Sequence, residues 1–256
     1  MAIRYGVCAG EDVLPDVIDA GFDYIEMNLA RLAGMSDGEF DTLAAAVDSS
    51  PIKAESFNCF FPGGIALVGE SFDIEKVRNH VEKAICRAAR LGGKVAVLGS
   101  GGARNIPEGF DRELAREQFI SVLRLCGDIA KAHGMIIVIE PLNAGETNLI
   151  NTVAEGLEMQ NAAAHDSVFC LADFFHVLKS GESLDAIKGS SGVLRHIHIA
   201  GPNRKYDELK DNRPLVSEWV KSLKACNYDG RISLEGHFDN FSSDIRVALG
   251  VLKETV

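Results

Sequence analysis

The sequence predicts an α/β fold, a (β/α)8 barrel in which eight parallel strands are each followed by a helix. Three observations predict it. Eight short apolar segments occur along the chain, each followed by a stretch of helical character. Strand-then-helix repeated eight times in about 250 residues is the count and size of such a barrel. Four ligand-type residues, Glu140, Asp173, His198 and Glu235, each end one of the last four apolar segments. They lie roughly 25 to 37 residues apart, room for a helical crossover each time, and parallel strands so joined present their C-terminal ends on one face.

In chain order the strand segments are IRYGVC (3–8), FDYIEMN (22–28), IKAESFN (52–58), KVAVLGS (94–100), GMIIVIE (134–140), VFCLAD (168–173), LRHIHIA (194–200) and RISLE (231–235). The clearest helix spans 74–93, where Val77, Val81, Ile85, Ala88 and Ala89 keep a period of three to four and Gly92–Gly93 stop it. The next, 111–134, opens on acids and closes at Gly134. Further helices read at 150–165, 215–227 and 242–255, and a short one after the sixth strand near 182–189. No linker or low-complexity stretch divides the chain, so a single TIM barrel domain over 1–256 is expected. A doubly wound open sheet is less natural, because no Gly-rich phosphate loop follows the first strand. GSGG at 99–102 lacks both GxGxxG spacing and a P-loop lysine.

Composition narrows the function. A hydrophobic content of 46% and a charged content of 25% are ordinary for a globular protein. The formal net charge of −11 argues against a nucleic-acid footprint, which wants a basic surface. No apolar run is long enough to span a bilayer, and MAIRYGVCAGEDVL has no leader-like apolar stretch. The six cysteines, at 8, 59, 86, 126, 170 and 226, form no CxxC pair. They are expected to be reduced and mostly buried, in a cytoplasmic setting.

Side chains at the C-terminal strand ends of a barrel build its active site. Glu140 closes an almost wholly apolar strand, where an unpaired charge is costly. Asp173 and His176 stand together in LADFFH, a motif that also reads as a helix N-cap beside a packed histidine. In HIHIA, one of His196 and His198 is expected to point into the barrel and the other outward. At most one is then a ligand, and His198, nearer the strand end, is the better candidate. Glu235 ends the eighth segment, with His237 as loop decoration. Three carboxylates and one imidazole make a hard, oxygen-rich set suited to Mn2+, Mg2+ or Co2+, with Zn2+ also acceptable. No thiolate belongs to the set, which excludes a typical structural zinc site. A metal held by four protein groups has room to chelate a hydroxyl and a carbonyl, which acidifies the carbon between them and stabilises an enediolate.

The motifs IEPLNAGETN (139–148), DFFH (173–176), HIHIAGPNR (196–204) and YDGRISLEGHF (228–238) run in the order found in the xylose isomerase-like sugar isomerase/epimerase superfamily. Within it the chain resembles ketose 3-epimerases of the D-tagatose 3-epimerase type. FDYIEMN and ESFNCFFPGG extend the resemblance over nearly the whole chain. The resemblance implies that Glu140, Asp173, His198 and Glu235 hold the metal and that Glu140 and Glu235 are the acid/base pair at C3 of a ketose. It implies that Glu146, His176 and Arg204 bind sugar hydroxyls near O1 and O2. A guanidinium at position 204 can fork onto two oxygens as a lysine could not.

The segment after Arg204, KYDELKDNRPL, departs from the Pro-Gly stretch common in those epimerases. Phe57, Phe60 and Phe61 either cover a sugar or pack under the barrel top. Glu26 is a further site candidate or a partner for an arginine, and Arg104 has the reach for a phosphate or carboxylate. The expected partner is a sugar or polyol-ketone, with no nucleic acid and no membrane; assembly into a homo-oligomer is open. The same site would serve a dehydratase (a lyase) of the inosose or dehydroshikimate type, or a hydroxypyruvate isomerase, since loop residues decide among them. An endonuclease IV-like repair enzyme needs more histidines and a basic surface. A non-catalytic sugar-binding barrel predicts loss of one of the two glutamates, and both are present.

Overall fold

The computed structural model describes residues 3–255; the expected domain limits at Met1 and Val256 lie outside them. The strands are β1 (Arg4–Cys8), β2 (Tyr24–Asn28), β3 (Lys53–Asn58), β4 (Val95–Leu98), β5 (Ile136–Ile139), β6 (Val168–Asp173), β7 (Leu194–Ile199) and β8 (Arg231–Leu234). Each pairs in parallel with the next, and β8 returns to β1, closing the barrel in sequence order. The expected (β/α)8 TIM barrel is therefore the observed fold. Strand limits agree with the predicted segments to within about two residues, the ordinary uncertainty of element ends.

The helices are α1 (Leu14–Ala20), α2 (Leu29–Gly34), α3 (Asp37–Ser49), α4 (Ile74–Arg90), α5 (Gly101–Arg104), α6 (Arg112–Ala132), α7 (Val153–Ala163), α8 (Phe174–Ser180), α9 (Asp185–Lys188), α10 (Asp207–Asp211), α11 (Arg213–Ala225) and α12 (Phe241–Thr255). Caps fix the starts of the long ones. Asp73 accepts from the Glu75 and Lys76 amides at α4, and Asp111 from Leu114 N at α6. Ser36 and Glu39 form a reciprocal capping box at α3. The short helix expected near 182–189 is α9, and a further helix, α8, precedes it. α8 starts directly at Phe174, because Asp173 Oδ1 accepts from Phe175 N, and α9 is a single turn. None of the described helices is long and apolar enough to cross a membrane.

The main core lies between the barrel and its helices. Inside the barrel the two halves differ. Under β4–β6, Val95, Val97, Val138 and Leu171 form a separate apolar plug. On the side of β7, β8, β2 and β3 the interior is polar: Tyr24, Glu26, Ser56, His196, His198 and Ser233 are all fully buried. Tyr24 reaches across the barrel floor to Ser233, and Gly6 makes room for it, since a Cβ there would lie 2.2 Å from the tyrosine ring.

The cysteines are all free. Cys126, Cys170 and Cys226 are buried as expected, but Cys8 is half-buried, and Cys59 and Cys86 are exposed. Of the aromatic loop, Phe57 and Phe60 are fully buried, and Phe61, stacked on Phe60 at 4.6 Å, forms part of the cavity wall above.

Candidate metal centre

Glu140, Asp173, His198 and Glu235 converge at the C-terminal mouth of the barrel. Each offers one ligand atom, and the four atoms lie within 4.8 Å of one another. The convergence follows from register: Asp173 pairs with His198 across β6 and β7, Glu140 follows β5, and Glu235 follows β8. His198 Nδ1 stands 2.9 Å from Glu140 Oε1 and 3.3 Å from Glu235 Oε2.

His196 and His198 do not point to opposite faces. Residues two apart on a strand share a face, and both imidazoles lie inside the barrel against Glu26. His198 Nε2 donates to Glu26 Oε1 at 2.9 Å, while His196 Nε2 lies 2.8 Å from Oε2. Ser233 Oγ adds a third donor to Glu26 at 2.5 Å and itself receives the Tyr24 hydroxyl at 2.8 Å. Glu26 is thus a partner of histidines rather than of an arginine. Burial alone would raise its pKa, but the two histidines outweigh it and hold the carboxyl well below its usual range. The ionised Glu26 keeps the proton on His198 Nε2 and leaves Nδ1 turned to the carboxylates. A carboxylate behind the far nitrogen is the usual support of a metal-binding histidine. His196 Nδ1 is buried without a hydrogen-bond partner, so His196 is a packed residue of this network and not a ligand.

The carboxylates sit in unequal surroundings. Glu140 is buried, and desolvation raises its pKa despite His198. Its Oε2 fills the space beside Gly99, where a Cβ would lie only 2.1 Å away. Glu235 accepts from Asn58 Nδ2 at 3.1 Å and Arg204 Nη1 at 2.9 Å. Burial acts to raise its pKa, yet His198 and Arg204 bring it to about 2. Asp173 is pushed up to about 7 by burial and by Glu235, with Arg204 opposing. For His198, burial acts downward, but Glu26 and Glu235 raise it well above its usual value.

These groups fit a divalent cation. Three carboxylates compete for one buried imidazole and one arginine, and the available imidazole nitrogen is already oriented among them. Such a set could hold a hard or borderline ion. A second trio, Cys8, Glu26 and His198, also comes within ligand distance. Both of its Glu26 oxygens are already spent on histidine and serine, which leaves the four-residue set as the better candidate.

The three residues assigned to the sugar lie beside it. Arg204 Nη2 is 3.3 Å from Asp173 Oδ2, and its guanidinium lies 4.4 Å from the Phe175 ring centroid. Its backbone is left-handed, φ 60°, a conformation costly for a non-glycine residue. The His237 amide holds it by donating to Arg204 O, and Gly236 permits the approach. His176 is buried and neutral: burial and Arg204 lower its pKa to about 3. Its Nδ1 accepts from the Asn143 amide at 3.1 Å. Glu146 accepts from Asn143 Nδ2 at 3.0 Å and borders a cavity of about 540 Å³ together with Glu140, Arg204, Glu235, Phe61 and Cys59.

Arg104 does not reach this cavity. It is fully buried and spends its guanidinium on the carbonyls of Leu98, Glu140 and Ile150. It braces the β4 and β5 ends instead of reading an anion. Sequence reasoning passed over Asn58 and Asn143, which orient Glu235, His176 and Glu146. Their places in ESFN and EPLNAGE, at strand ends, were the available signal.

Comparison with known proteins agrees with the barrel fold. The chain is 30% identical over 204 residues to a 2-oxo-tetronate isomerase of Pectobacterium atrosepticum, covering 75% of each protein. It is 27% identical over 241 residues to an L-ribulose 3-epimerase of Mesorhizobium japonicum, covering 92% of this chain and 76% of the relative. The crystal structure of a D-allulose 3-epimerase from a Methylomonas species in complex with D-allulose shares the fold. Its TM-score is 0.89 at 19% identity, over 100% of this chain and 98% of that one. The family model described as xylose isomerase-like TIM barrel matches residues 14–255. The chain belongs to the xylose isomerase-like TIM barrel family, in which its relatives are named isomerases and epimerases.

Proposed function

We propose that the protein is a divalent-metal-dependent sugar epimerase or isomerase that moves a proton at a carbon next to a carbonyl, with a free ketose as substrate. The observation that carries this reading is the pair Glu140 and Glu235. Both reach His198 Nδ1, from β5 and β8, and both border the same cavity. When bound, a divalent ion supplies Lewis-acid stabilisation of the negative charge that builds on the carbonyl and hydroxyl oxygens. Glu140, Asp173, His198 and Glu235 would hold it. One glutamate takes the proton from the carbon, and the other delivers a proton to the opposite face or to the neighbouring atom. Arg204, His176 and Glu146 hold the carbonyl end of the substrate, and the stacking of Arg204 on Phe175 keeps its fork in place. Mn2+, Mg2+ and Co2+ are the ions such ligands favour, with Zn2+ acceptable.

The 2-oxo-tetronate isomerase relative favours a second reading, an acidic oxo-sugar whose carboxylate Arg204 would receive. Incubation of the metal-loaded protein with a panel of ketoses, 2-oxo-tetronate, hydroxypyruvate, inososes and dehydroshikimate separates the outcomes. An epimer supports the first reading and an isomerised oxo-acid the second. A dehydrated product, or no reaction on any carbonyl substrate, contradicts both.

Arg204→Ala is expected to raise KM about tenfold or more, the loss of a charge-assisted hydrogen bond, while the metal Kd changes far less. Equal losses of substrate and metal affinity would move Arg204 from the substrate to the metal. Glu26→Gln is expected to weaken Mn2+ binding about 10- to 100-fold by freeing the His198 ring. Calorimetric titration measures it, and an unchanged Kd would show that His198 is oriented without Glu26.

A further inference from the structure

Two further cavities follow the catalytic one along the barrel mouth. A second cavity of about 220 Å³ shares Cys59 with it and includes Cys8 and Asn58, the residue whose amide grips Glu235. A third, of about 630 Å³, opens on the far side between α2 and α3 and shares Glu11, Arg31, Met35 and Leu43 with the second. It is larger than the catalytic cavity itself.

Barrel order gives this succession a direction. Glu146 and Arg204 stand on the loops after β5 and β7, and His176 on α8 after β6, whereas the second cavity is bordered by β1, β2 and β3. In a closed eight-stranded barrel those strand groups face each other across the mouth. A sugar held at its carbonyl end by Arg204 therefore points its other end toward Asn58 and Cys59, and beyond them toward the α2–α3 groove.

The chemistry of the groove selects what extends into it. Arg31 and Glu11 form an ion pair at the junction of the two cavities, with the arginine side chain 65% exposed. Glu39 also borders the groove, and Asp12 and Glu39 add their charges around Arg31. Three carboxylates around one guanidinium repel an anion. Donors and acceptors side by side suit the vicinal hydroxyls of a neutral sugar, each of which both gives and takes a hydrogen bond. Met35, Leu43 and Ala46 offer apolar surface for the C–H face of a sugar ring.

We propose that the α2–α3 groove is a glycosyl subsite, and that the enzyme takes a ketose bearing a neutral glycosyl substituent on the end away from its carbonyl. The proposal rests on the ketose reading of the catalytic site. The glycosidic bond is not broken; the second sugar supplies binding energy and selects the substrate.

The test compares D-fructose with 6-O-glucosyl-fructose. The wild-type protein is expected to show kcat/KM about tenfold higher for the glucosylated ketose, the worth of one or two good hydrogen bonds. Ala46→Trp fills the groove from an exposed helix position, and Arg31→Ala removes its donors. Each is expected to cancel that preference and leave D-fructose unchanged. No wild-type preference, or equal losses on both sugars, overturns the subsite. If neither sugar is turned over, the ketose reading has failed, and calorimetry of 6-O-glucosyl-fructose on the same Mn2+-loaded proteins judges the groove separately. Binding that is lost in Ala46→Trp upholds it, and binding that is absent or indifferent to the change overturns it.

Discussion

Glu140→Gln is expected to lower kcat by about 10²- to 10⁴-fold, the usual contribution of a positioned acid or base, while the barrel stays folded. Glutamine keeps the shape of the side chain, and the space beside Gly99 still admits it. Its carbonyl oxygen can accept from His198 as Glu140 Oε1 does, at 2.9 Å. What is lost is the capacity to carry a proton. Glu235→Gln is expected to cost as much activity and some stability too. Both Glu235 oxygens face donors, Asn58 Nδ2 and Arg204 Nη1. A glutamine amide must turn its own N–H toward one of them, leaving two donors opposed. Glu140→Gln is therefore the cleaner probe. Kinetics on the substrate found by the panel, with circular dichroism and melting curves, checks both variants; wild-type turnover in either removes it from the acid/base pair.

Removal of divalent metal is expected to cost at least about a hundredfold in turnover, since Lewis-acid charge stabilisation is worth several kcal/mol. Mn2+ or Co2+ is expected to restore it. Stability gives an independent readout. A ligand at about 100 times its Kd adds about 2.7 kcal/mol to the folded state, or about 5–10 °C in Tm for a chain of this size. Asp173→Asn removes one ligand charge and is expected to shrink that shift. Full activity and an unchanged Tm after verified metal removal would contradict a metal-dependent reaction.

Much of the fold was legible because each strand is a short β-rich run bounded by turn residues, as in VFCLAD and RISLE. The convergence of Glu140, Asp173, His198 and Glu235 was legible for a related reason: an ionisable group ending a buried strand must find a partner. Partners from distant strands were not. Glu26 on β2 meets His196 and His198 on β7 only because the barrel closes, and periodicity tells which face a residue is on, not what it meets there. The expected split of the two histidines ignored the period of two along a strand. Asp173 serves two purposes at once, capping α8 with Oδ1 and facing Arg204 with Oδ2, so its cap and ligand readings do not exclude each other. Arg104 looked like an anion reader because loop arginines often are. Its burial against three carbonyls comes from the short helix α5, which the glycines of GSGG did not announce.

The central claim is that Glu140 and Glu235 transfer a proton at a carbon beside a carbonyl and, with Asp173 and His198, would hold a divalent ion. Incubation of the Mn2+-loaded protein with the sugar panel in D2O, followed by NMR, tests it most directly. The account predicts deuterium at one carbon adjacent to the carbonyl of at least one sugar, lost in Glu140→Gln and after metal removal. No deuterium at any such carbon, or incorporation that survives both changes, would contradict it.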